Sequence, residues 1–475
     1  MPPRTRKSAA ADKAANDTSS THQPTPDDAR NDKEVKRGNW GRVQVPFITI
    51  LLMVLLMTSV PFIVVAFWAA LEYFHGSFQL AIMDALHAPS LWTWILNHLP
   101  QPSWEATVMY LSWTLFQALI YAFYPVPTSY GNQTPGGNVL GYKCNGWHAW
   151  WISHILFLGL STPGLNLFPT SIIADHWGGL LVITNIYGYL FPVFLYIKAL
   201  YFPSYPSDCR FTGSRVYDFV HGVEINPRIG EWFDLKLFHN GRPGIVAWTM
   251  INISFAAYEY NLKGYVSKEM IGLNILHAFY VVDFFYWESW YLRTLDITLE
   301  RLGVMLLWGD AVWLPFMYTL QSQYIARNDV NLPMPVYAFL WTLGLVGYYI
   351  FRNANNQKDI VRAADGKCDI WGKPAKVIRA TYTTADGVEH QSLLLASGYW
   401  GLSRHFNYFG DLMMCTAFCG MCGVNDVLPW FYLVFMTILL SHRCKRDDDR
   451  CGGKYGKYWQ EYKQQVPWNM IPYIW

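Results

Sequence analysis

The sequence predicts an all-α, polytopic membrane protein with about ten transmembrane helices and a small surface β-hairpin. Two observations carry this prediction: the composition is apolar, and the apolar residues fall into long runs. Apolar residues make up 52% of the 475-residue chain, aromatic residues 17% and charged residues only 15%. A typical soluble domain carries about 25% charged residues. The composition therefore favours a chain that places much of its surface in lipid.

The apolar runs approach the ~20 residues that a bilayer-spanning helix requires. They cover residues 46–71, 106–124, 150–167, 180–201, 245–260, 271–291, 302–320, 335–351 and 412–440. The last run is long enough for a helical hairpin, which brings the expected number of helices to about ten. No internal repeat accompanies the runs, which weighs against a transporter built from inverted repeats.

The first segment, residues 1–42, is predicted to be a disordered cytosolic tail. It is rich in Ala, Thr, Asp, Lys and Arg and holds few residues that a fold could bury. Its Lys/Arg excess lies beside the first apolar run, and this places the N-terminus in the cytosol. No short apolar core lies near Met1, so no cleaved signal peptide is expected.

Net charge and cysteine usage exclude several functional classes. The formal net charge is only +2 at pH 7, so no global field recruits nucleic acid. The eight cysteines show no spaced disulfide framework. Cys415, Cys419 and Cys422 lie in or beside apolar runs and are predicted to be packed thiols. We therefore expect no metal site.

Four acidic residues lie within two adjacent apolar segments: Asp283, Glu288, Asp296 and Asp310. A charged group inside a bilayer costs about 2.5 kcal/mol or more unless it is paired or faces water. These residues are therefore expected to line a polar cavity, with Tyr280 and Asp283 as neighbours on one helix face. The alternative is a position at the membrane interface, which the aromatic string "FFYWESWY" also fits.

Two polar insertions, residues 203–244 and 352–405, interrupt the runs. The second contains "KPAKVIRATYTTADGVEHQSLLL", whose alternating pattern around Ala385-Asp386-Gly387 predicts a β-hairpin. The sequence contains no phosphate-binding loop, no nucleophile elbow and no zinc-protease motif, and "GGNVLG" lacks the strand and helix of a dinucleotide-binding motif. A nucleotide, if bound, is bound outside those folds.

Three polar clusters each adjoin the end of an apolar run: residues 351–362, residues 398–411 and the C-terminal segment. Lys358 and Arg362 are spaced i,i+4 and would share a helix face suited to binding phosphate. The alternative ligand is an anionic lipid headgroup. The aromatic, charged C-terminal segment is predicted to be folded, because a disordered tail lacks such residues.

Two local features of the C-terminal segment allow simple structural interpretations. Arg443 and Asp447 are spaced i,i+4 and can pair to cap the exit of a helix. The Gly452-Gly453 pair suits either a tight backbone turn beneath a ligand or an ordinary helix stop.

Four long motifs resemble the sterol reductase family. They are "YDFVHGVEINPRIGEWFDLKLFHNGRPGIVAW", "GLVGYYIFRNANNQKD", "GYWGLSRHFNYFGDL" and "LLSHRCKRDDDRCGGKYGKYWQEYKQQVPWNMIP". The resemblance runs from about Trp40 to the terminus and is closer to the delta-7 branch than to the delta-14 branch. Glu224, Asn226 and Arg228 match the family motif and are interpreted as a structural bracket between helices.

The resemblance implies an enzyme of the endoplasmic reticulum membrane that uses NADPH to reduce the delta-7 double bond of sterol 5,7-dienes. It implies a membrane domain over residues 43–475, with the sterol side in 43–351 and the NADPH-binding part, open to the cytosol, in 352–475. Sterol would enter from the bilayer, and membrane lipid would surround the chain. The cofactor-binding residues it implies are Lys358, Arg362, Leu395, Trp400, Asn407, Arg443, Asp447 and Tyr455.

The same resemblance implies the catalytic residues. Tyr280 would donate a proton to the sterol, and Asp447 would be its partner in a proton relay from the cytosolic side. Asp283 and Glu288 would contact the substrate. The usual Trp-Asn-Glu of the family reads Tyr286-Trp287-Glu288 here, which removes an amide from this turn.

Three other functions compete with delta-7 reduction. A delta-14 sterol reductase would use the same scaffold with the sterol at a different depth. A non-catalytic sterol-binding membrane protein would keep the pocket without turnover. Membrane methyltransferases that use S-adenosylmethionine are similar to the final stretch alone, and they lack the upstream motifs.

Overall fold

The computed structural model describes residues 45–383 and 389–475. The predicted tail over residues 1–42 and the predicted turn at Ala385-Asp386-Gly387 lie outside the described residues. Within them the protein is mainly helical, with four antiparallel two-stranded sheets.

The first part of the fold is a series of helices with two short hairpins. Its elements are α1 (Phe47–Phe74), α2 (Phe78–His87), α3 (Leu91–Asn97), α4 (Trp104–Phe123), β1 (Thr128–Tyr130), β2 (Gly141–Lys143), α5 (Gly146–Leu160), α6 (Ile172–Asp175), α7 (Trp177–Tyr201), a 3-10 turn (Pro206–Asp208), α8 (Arg215–His221), β3 (Arg228–Ile229), β4 (Phe233–Asp234), α9 (Leu235–Gly241) and α10 (Pro243–Lys263).

The second part carries the remaining helices and the longest hairpin. Its elements are α11 (Lys268–Tyr286), α12 (Glu288–Tyr291), α13 (Leu295–Thr298), α14 (Val304–Trp308), a π-helical turn (Gly309–Trp313), α15 (Leu314–Met317), α16 (Leu320–Arg327), α17 (Met334–Ala363), β5 (Asp369–Ile370), β6 (Lys373–Pro374), β7 (Val377–Thr383), β8 (Glu389–Leu395), α18 (Tyr399–Leu402), α19 (Phe406–Gly420), a 3-10 turn (Leu428–Trp430), α20 (Phe431–Tyr455) and α21 (Lys457–Gln465).

By length and composition, four of the described helices are able to cross a membrane: α1, α4, α7 and α17. Large apolar side chains such as Phe47, Phe62 and Phe123 are exposed on these helices. A water-soluble protein would bury such a surface, whereas lipid accepts it. The structure thus supports the membrane class predicted from composition.

Two predicted runs are not continuous helices. The run at 302–320 is divided into α14, a π-helical turn and α15, and the run at 271–291 is interrupted at Trp287. Apolar content predicts burial but does not report such local breaks. In contrast, α17 continues past the predicted end at residue 351 as far as Ala363, so the stretch 351–362 is helical.

Three other predictions are confirmed. The run at 412–440 is part of a helical hairpin, formed by α19 and α20 around a 3-10 turn. Strands β7 and β8 pair in antiparallel register, from Val377 opposite Leu395 to Thr383 opposite Glu389. Cys415, Cys419 and Cys422 are buried free thiols.

Helices α17 and α19 approach each other at two glycines. A Cβ atom on Gly347 would lie 2.7 Å from the carbonyl oxygen of Gly410, and a Cβ atom on Gly410 would lie 2.7 Å from the carbonyl oxygen of Gly347. Small residues allow such backbone contact between helices in membranes. This contact fixes the polar end of α17 against the start of α19.

Two buried ion pairs hold the polar insertion at 203–244. Lys198 of α7 pairs with Glu224 at 2.9 Å, and Arg228 pairs with Asp234, inside the insertion, at 3.1 Å. Glu224 also accepts a hydrogen bond from the Ser204 amide. The interpretation as a structural bracket is confirmed for Glu224, whereas Arg228 pairs locally and the side-chain nitrogen of Asn226 has no partner among the described residues.

Glu288 lies in a third buried ion pair, and its removal is expected to destabilise the fold. Glu288 is 2.6 Å from Arg242 and accepts a hydrogen bond from the Gly146 amide at 2.8 Å. Glu288→Ala leaves the fully buried Arg242 without its counter-ion, which we expect to cost about 3 kcal/mol. Thermal melting of purified protein in detergent measures the loss.

The control for this prediction is Asp359→Ala, which breaks the exposed ion pair with Arg293. Exposed pairs contribute at most about 1 kcal/mol, so this variant should melt close to the unmodified protein. Equal melting temperatures for the two variants would show that the Arg242–Glu288 pair does not hold the fold.

Candidate functional site

The site is built where the polar end of α17 meets the segment that precedes α19. The Lys358 ammonium lies 4.0 Å from the centre of the Trp400 ring. Trp400 donates a hydrogen bond from its indole nitrogen to the Ala354 carbonyl at 2.7 Å. The Tyr399 amide donates to the Gln357 side chain at 3.0 Å. These bonds hold the indole face against Lys358.

An apolar cluster forms the base of this site. Leu395, at the end of β8, packs with Trp400, Val361 and Ile370. At the far edge, the hydroxyl of Tyr455 lies 3.3 Å from that of Ser392. Leu395 and Trp400 therefore lie in one cluster beside Lys358, whereas Tyr455 packs with Leu394 in the cluster on the other face of the β7–β8 hairpin.

The charges around α17 are mainly positive. In the part of the chain that the structure describes, no carboxylate lies within 4.0 Å of Lys358 or Arg362. The charged residues that act on Lys358 are Arg362, Asp447 and Arg450. Of these four residues three are positive and one is negative, so the net charge of the group is positive. Polyphosphate ligands bind such clusters, because their oxygens accept charge-assisted hydrogen bonds.

Asn407 adds an unused acceptor to the site. Its side-chain nitrogen donates to Asn355 at 3.4 Å, while its buried side-chain oxygen has no partner among the described residues. An aromatic face, a free amide oxygen and unpaired cations fit a nucleotide that carries several phosphates. The residues present thus fit the nicotinamide cofactor that the resemblance implies.

Arg443 and Asp447 do not pair with each other, so the helix-cap interpretation is wrong. Arg443 donates to both oxygens of Asp296, at 2.9 and 3.1 Å. Asp447 accepts from Arg450 at 2.6 Å and lies 3.8 Å from the ring of His405. Tertiary packing supplies Arg443 with a distant partner, whereas Asp447 pairs with Arg450 at i,i+3 on the same helix.

The Gly452-Gly453 pair does not form a turn or a helix stop. Both glycines lie inside α20, which continues to Tyr455. The helix ends at Gly456, which has a φ of 53°. Glycine adopts this left-handed conformation without steric cost, and so the stop occurs four residues later than Gly452.

The predicted substrate residues Asp283 and Glu288 lie in different environments. Asp283 forms an ion pair with Arg352 and accepts a hydrogen bond from Tyr348 at 2.9 Å. The Arg352 guanidinium lies over the rings of Trp287 and Trp290, at 5.1 and 5.4 Å. Contact between sterol and either carboxylate stays a prediction.

Tyr280 is a partly buried side chain that packs against the main helical core. Its ring packs against Trp248 at 5.6 Å and Phe418 at 6.4 Å. Asp411 and Arg443 are among the ionisable groups close enough to act on its hydroxyl group. No hydrogen bond joins Tyr280 to Asp447 within the described ranges, so the predicted relay has no direct contact.

The C-terminal segment is folded, as predicted, and it closes over the start of α19. Arg404 donates to the carbonyls of Val466 and Pro467 at 2.7 and 2.9 Å. The amide of His405 donates to the carbonyl of Asn469 at 2.8 Å. The sequence analysis did not single out Arg404 and His405, although both belong to the motif "GYWGLSRHFNYFGDL".

His405 provides a pH-dependent contribution to stability. Burial lowers the pKa of His405 to about 4, Lys358 and Arg404 add to the effect, and Asp447 opposes it. In the unfolded chain the imidazole has a pKa near ~6.5. The unfolded chain therefore binds the proton first as pH falls, and the free energy of unfolding decreases from about pH 6.5 to about pH 4.

His405→Asn removes this titration. We expect the difference in melting temperature between the variant and the unmodified protein to be constant above about pH 6.5 and to change in favour of the variant below it. Melting curves collected in steps between these pH values measure the change. Parallel curves throughout would contradict the assignment.

Comparisons with known proteins bear directly on this arrangement. The profile of the Ergosterol biosynthesis ERG4/ERG24 family matches residues 45–475. The chain belongs to this sterol reductase family. The matched range includes every residue of the site described above.

Individual relatives of this sterol reductase cover nearly its whole length. The chain is 45% identical over 447 residues to the 7-dehydrocholesterol reductase of Danio rerio, covering 92% of this chain and 93% of the relative. It is 43% identical to the 7-dehydrocholesterol reductase of Xenopus laevis, covering 94% and 98%. It is 39% identical to the Delta(14)-sterol reductase of Methylotuvimicrobium alcaliphilum, covering 88% and 93%.

Proposed function

We propose that this protein reduces the delta-7 double bond of sterol 5,7-dienes with NADPH. The proposal rests on one combination of observations. The site holds an aromatic face and cations without a carboxylate partner among the described residues. The chain that carries it is 45% identical, over 92% of its length, to a 7-dehydrocholesterol reductase. The proposal thus makes it an oxidoreductase of sterol biosynthesis that acts on a carbon–carbon bond.

Cofactor binding is assigned to the cluster around Lys358. Lys358 and Arg362 bind phosphate groups, and Trp400 and Leu395 provide the apolar surface for the rings. The free side-chain oxygen of Asn407 is available to accept from the carboxamide or the adenine. Arg443, Asp447 and Tyr455 border the same pocket. An anionic lipid headgroup is the alternative ligand for the basic pair.

The reaction requires a proton as well as a hydride, because an unpolarised alkene does not accept hydride directly. A proton on carbon 8 of a 5,7-diene leaves an allylic cation that the remaining double bond stabilises. When bound, NADPH supplies the hydride that carbon 7 then takes. Tyr280 is assigned as the proton donor, since its partly buried ring packs against the main helical core, which limits the access of water.

The membrane arrangement is also part of the proposal. The chain crosses the endoplasmic reticulum membrane about ten times, which adds shorter or broken helices to the four long apolar ones. The N-terminus and the cofactor pocket face the cytosol. Sterol enters from the bilayer on the side formed by residues 43–351, and NADPH binds to the part formed by residues 352–475.

Delta-14 reduction is the second candidate, because relatives named Delta(14)-sterol reductase are 39% identical over 88% of the chain. The same residues would act, with the sterol at a different depth relative to Tyr280.

The deciding experiment supplies membranes that contain the protein with NADPH and either 7-dehydrocholesterol or a delta-8,14 sterol. Mass spectrometry follows the gain of two hydrogens in each sterol. We expect only the 5,7-diene to be reduced at an appreciable rate. Selective reduction of the 8,14-diene would establish the second candidate, and no reduction of either sterol would overturn both.

A further inference from the structure

Asp411 is a buried carboxyl group without a partner. It is 5% exposed, and no described residue forms a hydrogen bond or an ion pair with it. Two other acidic side chains of this region are engaged, since Asp296 binds Arg443 and Asp447 binds Arg450. Asp310 is a further buried carboxyl group, with an oxygen that has no partner among the described residues, but it does not act on Tyr280. An ionised carboxylate without a partner is costly in an apolar interior, whereas the protonated acid is tolerated.

Asp411 shares a helix face with residues that contact Tyr280. Asp411, Cys415 and Phe418 follow one another at i, i+4 and i+7 along α19, and therefore line one face. The Phe418 ring contacts the Tyr280 ring at 6.4 Å. Asp411 is also among the ionisable groups close enough to act on the Tyr280 hydroxyl. It therefore lies on the side of α19 that packs towards Tyr280, about two helical turns before Phe418.

Asp411 also lies between Tyr280 and the cytosolic acid that the sequence analysis paired with it. His405, which faces Asp447, immediately precedes α19. With a rise of about 1.5 Å per residue, Asp411 stands about 9 Å further along the helix. A proton that passes from the Asp447 side towards Tyr280 therefore meets Asp411 on the way.

We propose that Asp411 holds the proton that is returned to Tyr280 after each transfer to the sterol. This inference rests on the proposed sterol reduction and adds a residue to it. Asp411 acts through Tyr280 and does not touch the substrate, so it is a positioning residue and a proton reservoir.

The proton steps balance. The O–H bond of Tyr280 breaks as a C–H bond forms at carbon 8, which leaves a phenolate. The O–H bond of Asp411 then breaks, and its proton restores the phenol. The Asp411 carboxylate recovers a proton from water through the Asp447 side. No oxidant or reductant is needed beyond the hydride source of the proposed reaction.

The groups that face Asp411 come from several elements. They are Tyr280 of α11, Tyr318 after α15, Cys415 of α19, and Tyr432 and Arg443 of α20. Arg443 is engaged by Asp296, and the others are neutral at pH 7. Asp411 is therefore the acid in this group that can return a proton at neutral pH.

The test compares Asp411→Asn with the unmodified protein in the sterol assay. The amide keeps the shape of the carboxyl but carries no transferable proton. We expect kcat to fall about 10²-fold, while the KM for sterol and for NADPH changes little. In the unmodified protein kcat should decrease at alkaline pH as the reservoir loses its proton, and this decrease should be absent in the variant.

The matched control is Asp426→Asn, because Asp426 accepts a hydrogen bond from Tyr324 outside the site. It should keep the kcat and pH profile of the unmodified protein. If Asp411→Asn does not fold, Asp411→Ser serves in its place, and melting temperature identifies folded variants. A folded variant with unchanged kcat and pH profile would overturn the role of Asp411 alone. An unmodified protein that reduces neither diene would overturn the proposed function and this inference with it.

Discussion

Lys358→Ala is expected to weaken NADPH binding by about 10²-fold, because it removes a charge-assisted contact worth about 3 kcal/mol. The side chain lies 4.0 Å from the Trp400 ring and has no carboxylate partner in the described chain, so its charge is available to a ligand. Titration of NADPH by fluorescence measures the change in Kd. Sterol binding should be almost unaffected, since no contact joins Lys358 to Tyr280 among the described residues.

Two variants test whether the effect is specific. Lys358→Arg keeps the charge and should retain much of the affinity, with some loss from the altered stacking on Trp400. Lys373→Ala removes an exposed lysine of β6 in the same part of the chain and should bind NADPH normally. An unchanged Kd in Lys358→Ala would exclude the phosphate role and favour a lipid headgroup contact.

Tyr280→Phe is expected to bind both ligands and to lose turnover. Removal of a general acid typically lowers the rate by about 10²- to 10⁴-fold. The ring contacts with Trp248 and Phe418 persist in Phe, so the fold should be preserved. Single-turnover measurements with NADPH and a 5,7-diene separate this loss of chemistry from any change in binding.

Tyr286→Phe is the matched control, since Tyr286 ends the same helix and is 55% exposed. It should show the kcat of the unmodified protein. A Tyr280→Phe variant with full activity would remove Tyr280 as the proton donor, while the cofactor assignment at Lys358 would stand independently.

Together the variants divide the proposed reaction into separable parts. Loss of affinity at Lys358 with intact sterol binding concerns the cofactor site. Loss of kcat at Tyr280 concerns the transfer of the proton. Absence of the decrease in kcat at alkaline pH in the Asp411→Asn variant concerns the return of that proton. Each result is measured in a different quantity, so one failure does not obscure the others.

Much of the fold and part of the site follow from local sequence patterns. Long apolar runs predicted the membrane helices, and alternation predicted the pairing of β7 with β8. The i,i+4 spacing of Lys358 and Arg362 placed both on one helix face, and α17 does extend through them. These features depend on patterns within one helix or one hairpin, which the sequence displays directly.

Tertiary structure alone decided which charged groups meet. Arg443 reaches Asp296, which is 147 residues away in the chain, in preference to Asp447 four residues along the helix. Asp283 is engaged by Arg352, and Glu288 by Arg242. Spacing in sequence identifies possible partners on one helix. The packing of distant helices determines which charged side chains pair with each other.

The position of Asp411 illustrates the same division. The sequence by itself determined a helical membrane protein with a basic, aromatic C-terminal site. Only the packing of α19 against α11 brought the unpaired carboxyl of Asp411 to face Tyr280. The physical reason is that helix formation depends on interactions within a few residues, whereas the burial of a polar group depends on every element that surrounds it.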